Sequence, residues 1–449
     1  MTYQDALDDL ESLTNYERTH QPSAMRAVRL ERMQRLCARL GHPQRRFRSI
    51  LVGGTNAKGS VCAMIYAMLR TAGIPAGLYT SPHLTDVRER IRVSRGPAAG
   101  SDWIAEEAFT GIIAQLRPLV EEFRGRPDGP LTYFEVMTAA AFLHFAQARI
   151  RVAVLEVGLG GRLDATNVVE PSISLLGPIG LDHTDVLGED EVTIAQEKAG
   201  ILRPDGVAIS APQSPAVSSW LRAQALLQQC RWLEVGRELS VEVHAHDAEG
   251  LRLTIQGRRG RYDDLRVPLL GRHQAENAAL AVAAVEELSA AGVPHQLVRE
   301  GLAAVEWPGR IEVLQDDPLV LVDGAHNAPA ARALRATIEE LWPGRRVHLV
   351  VGMSADKPIA AVAEVLSPLA ASVICTSSGH PRACEPARLA TWFGQGGTPA
   401  IVMDDPLDAL TYRLNTADRS DVIVVTGSLF LAGAVRRTCA AAQLVAEGG

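Results

Sequence analysis

The sequence predicts two α/β domains joined near residue 308, and three observations lead there. Apolar strand-like runs alternate with helical stretches from Ile50 onward, a spacing that builds a mostly parallel sheet covered on both faces. A glycine-rich turn, Gly53-Gly54-Thr55-Asn56-Ala57-Lys58-Gly59-Ser60, stands between the strand Ile50–Val52 and the helix-forming run Val61–Leu69. After a stretch of different texture at 232–270, the strand–helix rhythm restarts at Arg310. At 449 residues the chain exceeds one ordinary core, and the expected domains are 1–308 and 309–449.

In chain order, residues 3–40 carry helical periodicity, with a break expected at His20-Gln21-Pro22 and a stop at Gly41-His42-Pro43. Ala76–Tyr79 reads as a short strand running into Thr80-Ser81-Pro82-His83-Leu84. Loops are expected at 95–100 and 124–130, bracketing a helix. A helix over 134–148 leads into the buried strand Val152–Val157, and Ile173–Leu176 is another apolar run. Alternating segments such as Leu251–Ile255 predict a small antiparallel patch. Gln274–Leu288 is an alanine-rich helix, and Trp307-Pro308-Gly309 reads as the joint. Strands follow near 319–322, 347–351, 372–375, 400–402 and 422–425.

A composition of 47% apolar and 22% charged residues is that of a soluble globular protein. A net charge of −7 argues against a nucleic-acid binder, which carries a basic excess or face. The six cysteines are scattered without a C-x-x-C pair, as buried small residues of a reducing compartment are. Met1–Leu13 has no apolar signal core, and the apolar stretch 422–435 is interrupted at Thr426-Gly427-Ser428. A cytoplasmic protein without membrane or nucleic-acid partners is expected.

The chemistry centres on the turn at 53–60. Small residues let backbone N–H groups close around phosphate oxygens, and the following helix adds its N-terminal partial charge. Lys58 is the one cation in the turn, although its ending departs from Gly-Lys-Ser/Thr, and such a turn also occurs with no ligand. Glu156 stands at the end of its apolar strand, before Gly158-Leu159-Gly160-Gly161-Arg162, so it either faces a ligand crevice or pairs with Arg162. His183 again follows an apolar strand, and Lys198 sits at a helix end, where solvated surface is the ordinary role.

Gly54–Ser60, Ser81–Leu84, Glu89–Val93, Thr132–Glu135, Leu155–Asn167 and Gly180–Gly188 together resemble the folylpolyglutamate synthase/dihydrofolate synthase family of the Mur-ligase superfamily. Glu197–Ile201, Pro308–Arg310, Asp323–Asn327 and Thr426–Leu429 extend the resemblance over nearly the whole chain, in order. It implies a P-loop Mur-ligase-type domain followed by a smaller Rossmann-like domain. It also implies an ATP- and Mg2+-dependent ligase that joins L-glutamate to a folate or dihydropteroate carboxylate through an acyl phosphate. Thr55, Asn56, Ala57, Lys58, Gly59 and Ser60 would hold the triphosphate, with Lys58 as the catalytic cation. Ser81, Glu156 and His183 correspond to Mg2+ ligands. Asn277, Arg310 and Asp323 correspond to nucleotide contacts, with His326 near them. Thr132, Tyr133, Phe134 and Glu135, and Leu163, Asp164 and Ala165, match acceptor-contacting segments. Lys198 corresponds to a lysine that the superfamily carbamylates. The expected partners are these small molecules, taken up by a single chain.

Four departures stand out. Ala57 replaces a usual glycine, so a positive φ there would cost about 1 kcal/mol. Arg26-Ala27-Val28-Arg29-Leu30-Glu31-Arg32, Gly177-Pro178-Ile179-Gly180 and His326-Asn327-Ala328-Pro329 also differ from the family's usual forms. Two other readings stay open: a different Mur-type amino-acid ligase, and a nucleotide-binding homologue without ligase activity.

Overall fold

The computed structural model describes residues 1–449 except 20, 27–28, 95, 97–100, 128, 289–293, 396 and 448–449. Most of the loop expected at 95–100, Asp128 of the second loop, and Ala27 and Val28 therefore lie outside the described residues. The chain forms two compact units. The first comprises Met1–His244, Arg252–Pro268 and Gln274–Val305; the second comprises Ala245–Leu251, Leu269–His273 and Glu306–Gly449.

The first unit is built on seven strands: β1 (Arg48–Gly53), β2 (Ala76–Tyr79), β3 (Ile91–Ser94), β4 (Val152–Glu156), β5 (Ile173–Leu176), β6 (Val207–Ser210) and β7 (Arg231–Glu234). They lie in the order β3-β2-β4-β1-β5-β6-β7. All neighbours are parallel except β2 and β3. β1 is the strand about which the order reverses: its successors β2 and β4 lie on one side and β5 on the other. Open parallel sheets bind ligands beyond the carboxyl ends of their strands at such a point.

Helix Lys58–Thr71 follows β1 and is buried from Gly59 through Leu69. That burial explains a sequence apolar on every face. Helix Tyr133–Ala148 is similarly buried, and its Phe142 and Phe145 join Leu51, Ala153 and Leu155 in one core. The first helix, Tyr3–Glu11, stops well before the expected break. The chain there turns to pair with the start of helix Tyr133–Ala148, where the Tyr133 amide donates to the Thr14 carbonyl at 3.0 Å.

Strands β8 (Ser240–Asp247), β9 (Gly250–Gln256) and β10 (Arg261–Val267) form a separate sheet in the order β10-β9-β8. Their short connections permit only antiparallel hairpins, as the alternation at 251–255 predicts.

The second unit holds β11 (Glu312–Asp316), β12 (Leu319–Val322), β13 (Val347–Val351), β14 (Ala370–Cys375), β15 (Ala400–Val402) and β16 (Val422–Thr426). The order is β11-β12-β16-β13-β14-β15, parallel except at β11–β12. β12, β13 and β16 are buried throughout, which is why they read as apolar runs, interrupted only by His348 and ended by Thr426. Both units are thus mostly parallel α/β, as expected. All six cysteines are free thiols. No helix of the described residues is long and apolar enough to cross a membrane.

Candidate active site

Strand register assembles the site. Val52 stands opposite Glu156, Tyr79 opposite Leu155, and Gly53 opposite Leu176. The loops that begin at Gly53, Thr80, Val157 and Gly177 therefore leave the same edge of the sheet side by side. Lys58, Ser81, Glu156 and His183 are carried on or next to these four exits.

The phosphate loop is held from behind. The Thr55 amide donates to the Pro178 carbonyl at 2.9 Å, and the Thr55 hydroxyl bridges the Gly180 carbonyl and amide at 3.0 and 3.1 Å. Gly54 has φ +139°, and a Cβ there would lie 3.0 Å from the Gly177 backbone. Ala57 caps helix Lys58–Thr71 in the left-handed region, at φ 71° and ψ −19°. The positive φ expected at this position is real, and alanine occupies it. Lys58 Nζ curls back to donate to the carbonyls of Gly54 and Thr55, at 3.1 Å each.

Lys198 is not on the surface. It is 5% exposed, near the end of helix Glu191–Ala199, and its Nζ donates to the same Gly54 carbonyl at 2.9 Å. Burial, and next the Lys58 charge, pull its ammonium down to about 7. Two lysines thus share one oxygen of the phosphate loop, at the N-terminal end of a helix.

Ser81 and Glu156 come together: the Ser81 amide donates to Glu156 Oε2 at 3.0 Å, and the carboxylate is only 6% exposed. A buried carboxylate held against the Ser81 backbone is a donor that fits a hard cation such as Mg2+. Glu156 lies against Ser81, away from the alternative partner: the Arg162 guanidinium pairs with Glu197 at 2.9 Å. His183 occupies the left-handed N-cap of helix Thr184–Leu187, with Nε2 3.9 Å from Asp182 Oδ1.

The acceptor-side residues divide into two kinds. The Glu135 carboxylate is consumed locally: it accepts from the Thr132 amide and hydroxyl at 2.8 Å each, and from Arg32 Nε at 2.8 and 3.0 Å. Asp164 likewise accepts from the Gly158 and Leu159 amides at 3.0 Å and from the Thr166 amide and hydroxyl. Burial pushes the Asp164 carboxyl up. These carboxylates shape loops. The apolar members pack instead: Phe134 lies against Gly158, where a Cβ would meet its ring at 2.6 Å, and Ala165, Tyr133 and Phe134 belong to or pack on the core. Leu163 is half-buried. Asn277, 3% exposed, donates to Gln274 Oε1 at 2.9 Å on helix His273–Leu288.

In the second unit, Asp323 follows β12 and accepts from the Ile311 and Ala325 amides at 2.9 and 2.8 Å. Burial pushes its carboxyl up. Arg310 donates to the Gly309 carbonyl at 3.2 Å, and His326 Nδ1 lies 2.8 Å from the Gly324 carbonyl.

Sequence reasoning gave no role to Glu89 or Arg90. Glu89 gathers the Leu84, Thr85 and Asp86 amides at 2.7, 2.9 and 3.0 Å, bracing the loop after Ser81. The signal was readable, since Asp86-x-x-Glu89 has the spacing of a capping box. Arg90, 1% exposed, donates to His83 Nδ1 at 2.9 Å and to both oxygens of Glu17.

Residues 52–285 match the Mur ligase middle domain, and residues 309–429 match the Mur ligase glutamate ligase domain. A Bacillus subtilis dihydrofolate synthase/folylpolyglutamate synthase is 33% identical, covering 91% of this chain and 94% of that one. The chain belongs to the folylpolyglutamate synthase/dihydrofolate synthase family. Family members of known structure superpose over their full length. Mycobacterium tuberculosis folylpolyglutamate synthase complexed with ADP matches with a TM-score of 0.88 at 34% identity, covering 97% of this chain and 98% of that one. Escherichia coli FolC in complex with DHPP and ADP matches with a TM-score of 0.86 at 32% identity, covering 99% of each. As a family member the chain is an ATP-dependent acid–amino-acid ligase with small-molecule substrates.

Proposed function

We propose that the chain joins L-glutamate to the carboxylate of a folate or dihydropteroate in two steps. A carboxylate oxygen attacks the γ-phosphorus of ATP, the bond to the β-phosphate oxygen breaks, and ADP leaves an acyl phosphate. The glutamate amine, having lost its proton, then attacks the acyl carbon; the C–O bond to phosphate breaks, giving an amide and inorganic phosphate.

The observation that carries this reading is the meeting of Lys58 and Lys198 on the Gly54 carbonyl, beside the Ser81–Glu156 pair. The first step brings anion to anion, so positive charge placed ahead of time is what lowers its barrier. Lys58 leaves the carbonyls of Gly54 and Thr55 to meet the transferred phosphoryl group. The Thr55 and Asn56 amides are already given to the Pro178 carbonyl, so the backbone N–H groups from Ala57 to Ser60, at the start of the helix, are the ones offered to the phosphates. Ser81 and Glu156, with His183, would hold Mg2+, which when bound would offset charge on the phosphates. Lys198, an amine pulled down to about 7, is nucleophilic enough at neutral pH to add CO2. The neutral amine attacks the CO2 carbon, the N–C bond forms, one proton leaves the nitrogen, and the product is a carbamate anion suited to stand near a metal. Phe134, Leu163 and Ala165 line the acceptor, while Thr132, Tyr133, Glu135 and Asp164 hold that wall in shape. Asn277, and in the second unit Arg310, Asp323 and His326, keep the nucleotide roles that the family resemblance gives them.

The test is phosphate release from ATP with L-glutamate, measured across dihydropteroate, reduced folates and a cell-wall nucleotide precursor. Release that needs both glutamate and a pterin acceptor is expected. Glutamate-independent release, or release with the cell-wall precursor alone, refutes the reading.

A further inference from the structure

We propose that Arg203 is a positioning residue for the ligase reaction: it clasps the end of the Lys198 helix to the loop that follows Glu156. Its side chain thereby sets where Lys198 stands on the phosphate loop. The inference rests on the role proposed for Lys198.

An arginine between Leu202 and Pro204, past a helix end, is ordinarily a solvated charge. Here it is half-buried and makes no salt bridge among the described residues. Its hydrogen bonds go to uncharged oxygens. Nη1 donates to the carbonyls of Gly200 and Leu202 at 3.2 and 3.1 Å. Nη2 donates to the Asn167 carbonyl at 3.0 Å, to Asn167 Oδ1 at 2.6 Å and to the Val169 carbonyl at 3.1 Å. Burial pulls its guanidinium below the usual range, so the chain retains a cation here at a cost. What the cation does is specific. One planar fork satisfies the carbonyls of Gly200, the C-cap of the Lys198 helix, and of Leu202 just beyond it, together with those of Asn167 and Val169.

The two segments interlock around this fork. Asn167 Nδ2 donates to the carbonyls of Arg162 and Gly200, at 3.1 and 3.0 Å. The Arg162 amide donates to the Glu197 carbonyl at 2.8 Å. The backbones touch: a Cβ on Gly161 would lie 2.8 Å from the carbonyl oxygens of Glu197 and Lys198, and one on Gly200 would lie 2.4 Å from Arg162 Cβ. At the other end of the loop, Asp164 fixes the Gly158 and Leu159 amides, just after Glu156. A continuous set of contacts thus runs from Glu156 through Asp164 and Asn167 to Arg203 and Lys198. Removing the fork frees the helix end that carries Lys198 while leaving the Gly54 loop and its Pro178 support untouched.

The experiment compares Arg203→Ala, Arg203→Gln and Arg203→Lys with the parent in the full chain. It reads kcat and KM, ADP affinity, melting temperature, and the rate at which an amine reagent labels Lys198 at pH 7, followed by peptide mass. Expected for Arg203→Ala are ADP affinity within about threefold, a kcat loss of about tenfold or more, and a change in Lys198 labelling of at least about threefold. Added guanidinium at about 20 mM should recover part of kcat in Arg203→Ala, and Arg203→Lys should resemble Arg203→Ala, because an ammonium cannot span the same oxygens. If Arg203→Ala does not fold, Arg203→Gln gives the same readouts. Loss of kcat only in proportion to folded protein, with no guanidinium recovery and unchanged Lys198 labelling, overturns the proposal. If the parent itself turns over no acceptor, the ligase reading fails, while Lys198 labelling still decides the role of Arg203.

Discussion

Ala57→Gly tests the phosphate loop without touching its chemistry. Ala57 caps helix Lys58–Thr71 at φ 71° and makes no side-chain capping bond. An L-residue in that region costs about 1–2 kcal/mol. Glycine removes this cost but loses about 0.5–1 kcal/mol more backbone entropy on folding. Ala57 is only half-buried, so little apolar contact is forfeited. The balance is a stabilisation of about 0.5–1 kcal/mol, which at a urea slope of about 2–3 kcal/mol/M raises the midpoint by about 0.2–0.5 M. The assay is urea unfolding of parent and variant without nucleotide, followed by fluorescence, alongside kcat/KM for ATP. Backbone N–H directions are unchanged by the substitution, so kcat/KM should stay within about threefold. A midpoint that falls, or does not move, refutes the reasoning, because the left-handed alanine would then carry no strain.

Three further outcomes follow. Lys58→Ala should abolish turnover; retention of more than about a tenth of activity, a loss under ~1.4 kcal/mol, removes Lys58 from the phosphoryl role. Glu156→Gln keeps the shape but removes the charge beside Ser81, so half-maximal activity should need more Mg2+; an unchanged Mg2+ titration assigns Glu156 to the fold alone. Lys198, pulled down to about 7 in the folded chain from 10.5, binds fewer protons folded than unfolded across that interval. Its contribution to stability is therefore poorest below pH 7 and improves as pH rises towards 10.5. In CO2-free buffer the parent should gain on the order of 1–2 kcal/mol on Lys198→Met between pH 7 and 9, by urea unfolding; parallel pH profiles mean that Lys198 is not held as an uncharged amine.

The core strands were legible because burial on both faces leaves an unmistakable apolar run. Val152–Glu156, Ile173–Leu176, Leu319–Val322, Val347–Val351 and Val422–Thr426 lie within a residue or so of where the sequence puts them. β3, β6, β7 and β11 were not, and all of these except the short interior β6 are edge strands. One side of such a strand meets solvent, so Ile91-Arg92-Val93-Ser94 and Arg231-Trp232-Leu233-Glu234 carry charges that read as loop. The site divides in the same way. Lys58, Ser81 and Glu156 announce themselves by standing at the ends of apolar strands. Lys198 does not, because a lysine near a helix end looks solvated until folding brings Gly54 over it. Glu135 and Asp164 show the converse: their motifs are plain in sequence, but only the hydrogen bonds reveal that their oxygens are spent locally, on a helix cap and Arg32 for Glu135 and on its own loop for Asp164.

The two lysines on Gly54 divide the work between them. A single carbonyl oxygen attracts an ammonium, but two cations donating to it at 3.1 and 2.9 Å also repel each other. The fully buried one yields, since desolvation already disfavours its charge and the neighbouring Lys58 adds to that. Lys58 is half-buried, at the mouth of the turn. One lysine is thereby left at the mouth of the turn, where the proposed phosphoryl role needs it, and the other as an amine pulled down to about 7. Neither property follows from residue type alone. The shared oxygen brings the two lysines together, and it is fixed where it is because β1 ends at Gly53, between the strand that carries Glu156 and the one that leads to His183.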